Sequence, residues 1–193
     1  MGNNEFDICV VGTGAGGGVM IDELTAAGFK VVALERGKMW QKSDFMNHDE
    51  LSGFIRKHEV WAPDLVETLR EKEGQKAKAG QYSLLAHGVG GSSVHWHGSS
   101  WRFRPDEMKA LTRNGEIEGA NLADWPIDYK ELEPYYNAAE KAYGLAGTAG
   151  ANPFEAPRKI AYPNPAHPFT VGSQTMANAA KKAGLHPFPK PIA

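Results

Sequence analysis

Cysteine is almost missing. Cys9 is the one thiol among 193 residues, so no disulfide can form within the chain. It sits in the apolar run ICVV and is expected to pack as a small core residue, not to act as a nucleophile. No apolar stretch approaches the roughly 20 residues that cross a bilayer. The leading MGNNEFDICVVG has no basic region ahead of its apolar run, and Phe6 stands where a myristoylation motif needs Ser or Thr. On that ground the protein is expected in the cytoplasm. Charge of one sign is lacking too: 21 Lys and Arg offset 23 Asp and Glu, leaving a net charge of −2. That balance gives no electrostatic case for nucleic acid or an anionic membrane surface as a partner. HExxH and CxxC are both absent. The hydrophobic content of 41% and charged content of 23% are those of a soluble globular protein, and the length suits one domain with a real core.

Glycine, by contrast, is clustered. FDICVV, residues 6–11, reads as a short buried strand, and VMIDELTAAG as a helix with Gly28 at its C′ position. KVVALE, residues 30–35, reads as a second strand. Residues 6–36 thus have the size of a parallel β-α-β crossover. Between strand and helix, VVGTGAGGG places Gly12, Gly14 and Gly17 in the G-x-G-x-x-G spacing, with Thr13 and Ala15 inside it. Each glycine in a helix start costs about 1 kcal/mol relative to alanine, so helix stability does not select the run at 16–18. A tight turn at Gly12, close backbone approach to a pyrophosphate at Gly14 and close helix–strand packing at Gly17 do account for it. Free N–H groups and the helix dipole then bind phosphate. The plain alternative is a glycine-rich turn without a ligand. Glu35 ends the second strand at the right distance to accept the ribose hydroxyls of a dinucleotide. A carboxylate there disfavours a 2′-phosphate, which sets NADP aside and leaves NAD and FAD open. Arg36 reads as a surface or phosphate-edge residue.

Residues 38–80 are polar and mixed, with helical stretches expected at 47–58 and 63–73 and a solvated, mobile run in EKEGQKAKAG. Residues 81–104 look β-rich and irregular. PDEMKAL suits a short helix with Pro105 at N1. DYKELEPYYNAAEKAYG suits a helix with an Asp128 and Glu131 capping box, restarted at Pro134 and ended by Gly144. Residues 151–168 are proline-dense and expected as extended coil, SQTMANAAKKAG as a last helix, and HPFPKPIA as an extended exit. Trp101, Phe103, Trp125, Tyr135, Tyr136 and Tyr143 read as packing residues, and His48, His58, His167 and His186 as surface or structural ones.

One stretch, GVGGSSVHWHG at 88–98, sets bare backbone beside reactive side chains. In an extended segment residues two apart share a face, which would put His95 and His97 on one side and Trp96 on the other. Three readings stay open. A metal would need further ligands that no tight histidine or cysteine spacing supplies. Two histidines satisfied by local hydrogen bonds are the bland case. A flat cofactor would use Gly88, Gly90 and Gly91 for close approach and Ser92 and Ser93 as hydrogen-bonding groups, with a histidine against its ring.

Taken in order, VVGTGAGGG with LERG, GVGGSSVHWHGSSWRFRP, and DWPIDYKELEPYYNAAEKAYG resemble the glucose-methanol-choline (GMC) oxidoreductases over residues 6–144. The likeness is greatest to the sugar-oxidising branch, with its gluconate, fructose and glucose dehydrogenase flavoprotein subunits and pyranose oxidase. It implies an α/β fold: a Rossmann-type FAD-binding portion over 1–150, incomplete in this chain, with 151–193 leading into a substrate domain completed elsewhere. It implies FAD as cofactor and a sugar or sugar-derived alcohol as substrate, oxidised by hydride transfer to flavin N5. In several members a histidine matching His95 is bonded to the flavin 8α carbon. His97 departs from the pattern, since a small residue is more usual there, and is a candidate contact near the flavin's reactive edge. The family's catalytic histidine, paired with another histidine or an asparagine, belongs to a C-terminal motif. Nothing after residue 144 matches it, so no catalytic acid or base is assigned, and a second chain or a missing C-terminal half is expected to complete the fold. Branch members use a cytochrome, quinone or oxygen as acceptor, and some are exported to the periplasm with a signal-bearing small subunit. The rival functions are a non-catalytic flavin- or nucleotide-binding subunit, or half of a split enzyme, and an NAD-dependent dehydrogenase. The last leaves GGSSVHWHG unexplained.

Overall fold

The computed structural model describes residues 5–45, 67–80 and 87–193. Helix and strand alternate in an α/β arrangement, and the chain divides into two compact units, Met1–Trp96 and His97–Ala193.

The first unit is organised by a parallel crossover. Strands β1 (Ile8–Val11) and β2 (Val31–Leu34) pair in parallel from Ile8↔Val31 to Val11↔Leu34, and helix α1 (Ala15–Ala26) connects them. Gly28, at φ 92°, follows the helix C-cap Ala27 and releases the chain into β2, as its C′ placement predicts. One expectation fails here. β1 is not buried: Val11 is 82% exposed, Cys9 is exposed, and α1 contains no buried residue. A parallel strand is buried only when elements cover both faces of its sheet, and two strands with a single helix cannot do that. The helix expected at 63–73 is also corrected. Within its described part, β3 (Glu67–Leu69) pairs antiparallel with β4 (Lys78–Gly80) around an exposed turn at Gly74. Glu67, Thr68 and Leu69 pair with Gly80, Ala79 and Lys78, and this cross-strand ladder takes the backbone bonds a helix there would have used. The helix expected at 47–58 lies outside the described residues.

The second unit holds α2 (Ala110–Asn114), α3 (Tyr129–Tyr143), β5 (Ala146–Gly147), β6 (Asn164–Pro165) and α4 (Val171–Lys182). α3 starts as its sequence predicts. The Asp128 carboxylate accepts from the N–H groups of Lys130 and Glu131 at 2.7 and 3.0 Å, and Glu131 accepts from the Asp128 N–H at 2.8 Å. Gly144, at φ 65°, ends it. Pro134 does not restart the helix but lies inside it, in the second turn, at the loss of one bond to Lys130. The helix expected at Pro105 is instead a turn over 105–108, and α2 begins at Ala110. Glu107 accepts from the Arg104 N–H at 2.7 Å and Lys109 bridges to Asp124, which closes that turn before a helix can propagate.

The extended exit is tied in. Ile192 bridges both Ser99 and Ala146, and β5 pairs in parallel with β6. Met108, Tyr129 and Ala156 form the core, with Ile127, Leu132 and Tyr136 around it. Of the aromatics expected to pack, Tyr136 lies against the core, and Trp101, Phe103 and Trp125 pack on other rings while keeping one side exposed. Trp101, Phe103 and Trp125 are each about half exposed, and Tyr135 and Tyr143 are exposed. Phe103 and Trp125 stack with centroids 5.6 Å apart, and Trp101 meets Phe188 edge-on at 6.0 Å.

Candidate functional site

In the first unit three glycine-bearing stretches converge at the carboxyl ends of β1 and β2. The chain leaves β1 through Gly12, at φ 89°, whose N–H donates to Leu34 O at 2.7 Å. A Cβ on Gly17 would strike Gly12 O, so α1 can start this close to β1 only with glycine there. Gly14 and Gly16 differ: a Cβ on either would meet no atom within 4 Å. No side chain caps α1 at Gly14. Among the described residues, then, no side chain fills the cradle at the first turn of α1, whose N–H groups have no partner within the helix.

Glu35 stands beside this cradle. Its Oε2 accepts both the Thr13 N–H, at 2.9 Å, and the Thr13 hydroxyl, at 2.8 Å, and its Oε1 accepts the Gly37 N–H at 2.9 Å. These bonds, the one from Gly37 foremost and then those from Thr13, hold its carboxyl down at about 2. Each carboxylate oxygen has two acceptor sites, so Oε1 keeps one for a further donor.

The third stretch packs against the other two. Gly37 lies where a side chain would strike the backbone of Gly88, and a side chain on Gly88 would strike the Trp40 indole. Val89 donates its N–H to Lys38 O at 3.0 Å, and Gly90, at φ 96°, donates its N–H to Thr13 O at 3.1 Å. A Cβ on Gly91 would come within 3.0 Å of Gly14 Cα. Arg36 Nη2 lies 3.3 Å from Nε2 of the buried His87. Guanidinium only donates, so Nε2 is the acceptor and the imidazole carries its proton on Nδ1.

The conformation of 81–104 differs from its sequence reading. Among its described residues there is no strand; Gly88 and Ser99 make single bridges, and Gly91–His95 is a 3-10 helix. His95 closes that helix, with Trp96 N–H donating to Ser93 O at 3.2 Å. Gly91–His95 is not extended, whereas Trp96, the residue between His95 and His97, is, at φ −68° and ψ 135°. Ser92, Ser93 and Trp96 are exposed. His97 is the first residue of the second unit and is exposed there. Thus Gly12, Thr13, Gly14, Ala15, Gly17, Glu35, Gly88, Gly90 and Gly91 form one constellation. Gly37 and His87 belong with it: the sequence reading weighs His87 only as a distant metal ligand and takes Gly37 only as part of LERG.

The second unit holds a buried ion cluster. Arg102 bonds Glu140 twice, at 2.7 and 2.8 Å, and also Asn137 and Tyr129. Arg158 bonds Glu140 at 2.9 Å and Glu155 at 2.9 Å, and its guanidinium lies 3.6 Å over the Tyr162 ring. Burial alone would raise the Glu140 carboxyl, but the bonds from Arg102 and Arg158 outweigh it and hold it below its ordinary value. An open pocket of about 280 Å³ beside the cluster is lined by Ser100, Trp101, Tyr136 and Tyr143. Its charged members, Arg102 and Glu140, are already engaged with each other, which marks the cluster as structural. Among the described residues no group of three or more His, Cys, Asp or Glu could hold a metal, and no helix is long and apolar enough to cross a membrane.

No family model matches the chain. Individual relatives do. The chain is 33% identical to a gluconate 2-dehydrogenase flavoprotein of Pantoea cypripedii, over 98% of its own length and 35% of the relative's. It is 32% identical to a 2-methyl-1,2-propanediol dehydrogenase of Mycolicibacterium austroafricanum, over 96% and 33%. It is 27% identical to the fructose dehydrogenase large subunit of Gluconobacter japonicus, over 97% and 36%. The chain therefore spans about a third of the length of the curated relatives it matches. Along nearly all of its length the chain is thus similar to relatives that are GMC-type oxidoreductases.

Proposed function

We propose that this chain is the FAD-binding part of a flavoprotein oxidoreductase that oxidises a CH–OH group of a sugar or sugar-derived alcohol. The carrying observation is the open, uncapped cradle at Gly14 and Gly16, flanked by an ionised Glu35 and by the Gly88–Gly91 backbone. The residues fit the cofactor: the first turn of α1 supplies N–H donors for a pyrophosphate, and Glu35 Oε1 retains an acceptor site for a ribose hydroxyl. The names of relatives, a flavoprotein and several dehydrogenases and oxidases of hydroxylated compounds, support the same reading. Bound FAD would supply the acceptor for hydride removed from the substrate carbon.

The chain's own contribution is binding and orientation. Gly91 keeps a side chain away from Gly14, and Gly88 and Gly90 let this segment pack against Trp40 and Val94, while Ser92, Ser93 and Trp96 are the candidate contacts around the flavin ring. His95 is the candidate for a covalent bond to it. The group that takes the hydroxyl proton is assigned to polypeptide outside this chain, either the remainder of a longer protein or a second subunit. Intact mass under denaturing conditions, with the visible spectrum of the native protein, tests the reading. Flavin absorbance and a chain heavier by one FAD on a His95 peptide are expected. Flavin absorbance without added mass would retain FAD and remove the covalent bond. Protein with neither flavin nor affinity for it would overturn the proposal.

A further inference from the structure

Thr13 occupies the first x of G-x-G-x-x-G, a position the motif leaves unspecified. Yet three stretches meet on it. Its N–H and hydroxyl both donate to Glu35 Oε2, at 2.9 and 2.8 Å. Its carbonyl accepts from the Gly90 N–H at 3.1 Å, and its Oγ1 lies 3.4 Å from the same nitrogen. The hydroxyl hydrogen can point to only one acceptor, and at 2.8 Å that acceptor is Glu35. The Oγ1 lone pairs then face Gly90, so one hydroxyl gives to the end of β2 and receives from the turn that begins the Gly91–His95 helix. Alanine or glycine at residue 13 would keep the backbone bonds to Glu35 and from Gly90 but would lose both contacts of the hydroxyl.

We infer that Thr13 is a positioning residue for the cofactor, setting the Glu35 carboxylate and the Gly90 turn in one fixed relation. The inference rests on the flavin reading of the site. Thr13 itself need not touch the ligand. Through Glu35 it fixes an acceptor for the ribose, and through Gly90 it fixes the backbone against which the flavin end would lie.

The test uses protein prepared without flavin, titrated with FAD as wild type, Thr13→Val and Thr13→Ser. Valine keeps the branched shape and loses the hydroxyl; serine restores the hydroxyl. A hydrogen bond to a charged group is worth enough that Thr13→Val should weaken FAD binding about 10- to 100-fold. Thr13→Ser should recover it to within about threefold. In a Glu35→Gln background the Thr13→Val loss should shrink to a few-fold, because the partner through which Thr13 acts is already altered. The Glu35 carboxyl titration, followed by NMR, should move upward in Thr13→Val and return in Thr13→Ser. Equal FAD affinity in wild type and Thr13→Val overturns the inference, and so does failure of serine to rescue or full additivity with Glu35→Gln. A wild type that binds no FAD overturns the flavin reading instead. The carboxyl titration still decides whether Thr13 governs Glu35, and an unmoved titration overturns that as well.

Discussion

Arg102 reaches Glu140 through two guanidinium nitrogens, Nε at 2.7 Å and Nη2 at 2.8 Å, and both side chains are nearly sealed from solvent. Arg158 shares the same carboxylate. Glu140→Ala would take from Arg102 its two-bond carboxylate partner, with Glu133 the next nearest at 4.0 Å, and leave Arg158 with Glu155, beside a void. Removing one member of a buried pair costs about 3–5 kcal/mol, so this substitution is expected to lower the melting temperature of the second unit strongly. Arg102→Met should be less harmful than Glu140→Ala, because Arg158 then remains to neutralise the carboxylate. Circular dichroism melts of the two variants give the order.

Glu35 has the opposite setting: it is near the surface, and its charge is held by backbone N–H donors. Its carboxyl is lowered in the fold from 4.5 to about 2, so the stability it contributes is complete above 4.5 and falls away as pH drops toward 2. Glu35→Gln should flatten that part of the profile of urea midpoint against pH and leave the neutral and alkaline range unchanged in shape. A wild-type profile with no acid limb between those values would count against the bonds from Thr13 and Gly37.

Two adjacent glycines of the loop, Gly17 of the motif and Gly16 beside it, differ in their surroundings. Gly17→Ala forces a methyl onto Gly12 O, whereas Gly16→Ala places it in open space. Gly17→Ala should destabilise the first unit by about 1–3 kcal/mol, the range of an overpacked site. Gly16→Ala should leave stability equal or slightly higher and selectively reduce flavin uptake. Thermal melts and the ratio of visible to ultraviolet absorbance distinguish the two.

Asp128 caps α3 through both Lys130 and Glu131. Asp128→Ala should cost about 1 kcal/mol, and Asp128→Ser should restore most of it. Flavin content should not change in either variant, which separates this helix from the constellation around Thr13.

How far the sequence was legible depended on the range of the interaction. The β1–α1–β2 crossover and the α3 capping box rest on short-range rules, and both were readable from VVGTGAGGG, KVVALE and DYKE. Residues 91–95 were misread because Val94, with Trp96 just after the segment, suggests a strand. The segment's conformation is decided by Gly90 docking on Thr13, a partner far away in sequence. Burial of β1 was misread for a similar reason: periodicity reports that a strand is apolar, not whether this stretch of chain supplies the surfaces that cover it. Glu35 was placed correctly beside the glycine loop, but its bonds to Thr13 and Gly37 carry no sequence pattern. Neither did the sharing of Glu140 by Arg102 and Arg158.

Ile192 bridges both Ser99 and Ala146, whereas Glu35 meets Thr13 across a separation of only 22 residues. On a ribosome these closures are far apart in time. At about 5–20 residues per second, the interval between synthesis of residue 99 and residue 192 is roughly 5–20 s. The Thr13–Glu35 closure and the Gly90 contact can form in the emerging chain well before the second unit has its last edge. Residues 98–100 and β5 must wait through that interval with their pairing groups open. Nascent-chain proteolysis at successive lengths would show the first unit protected early and the second protected only once Ile192 has cleared the exit tunnel.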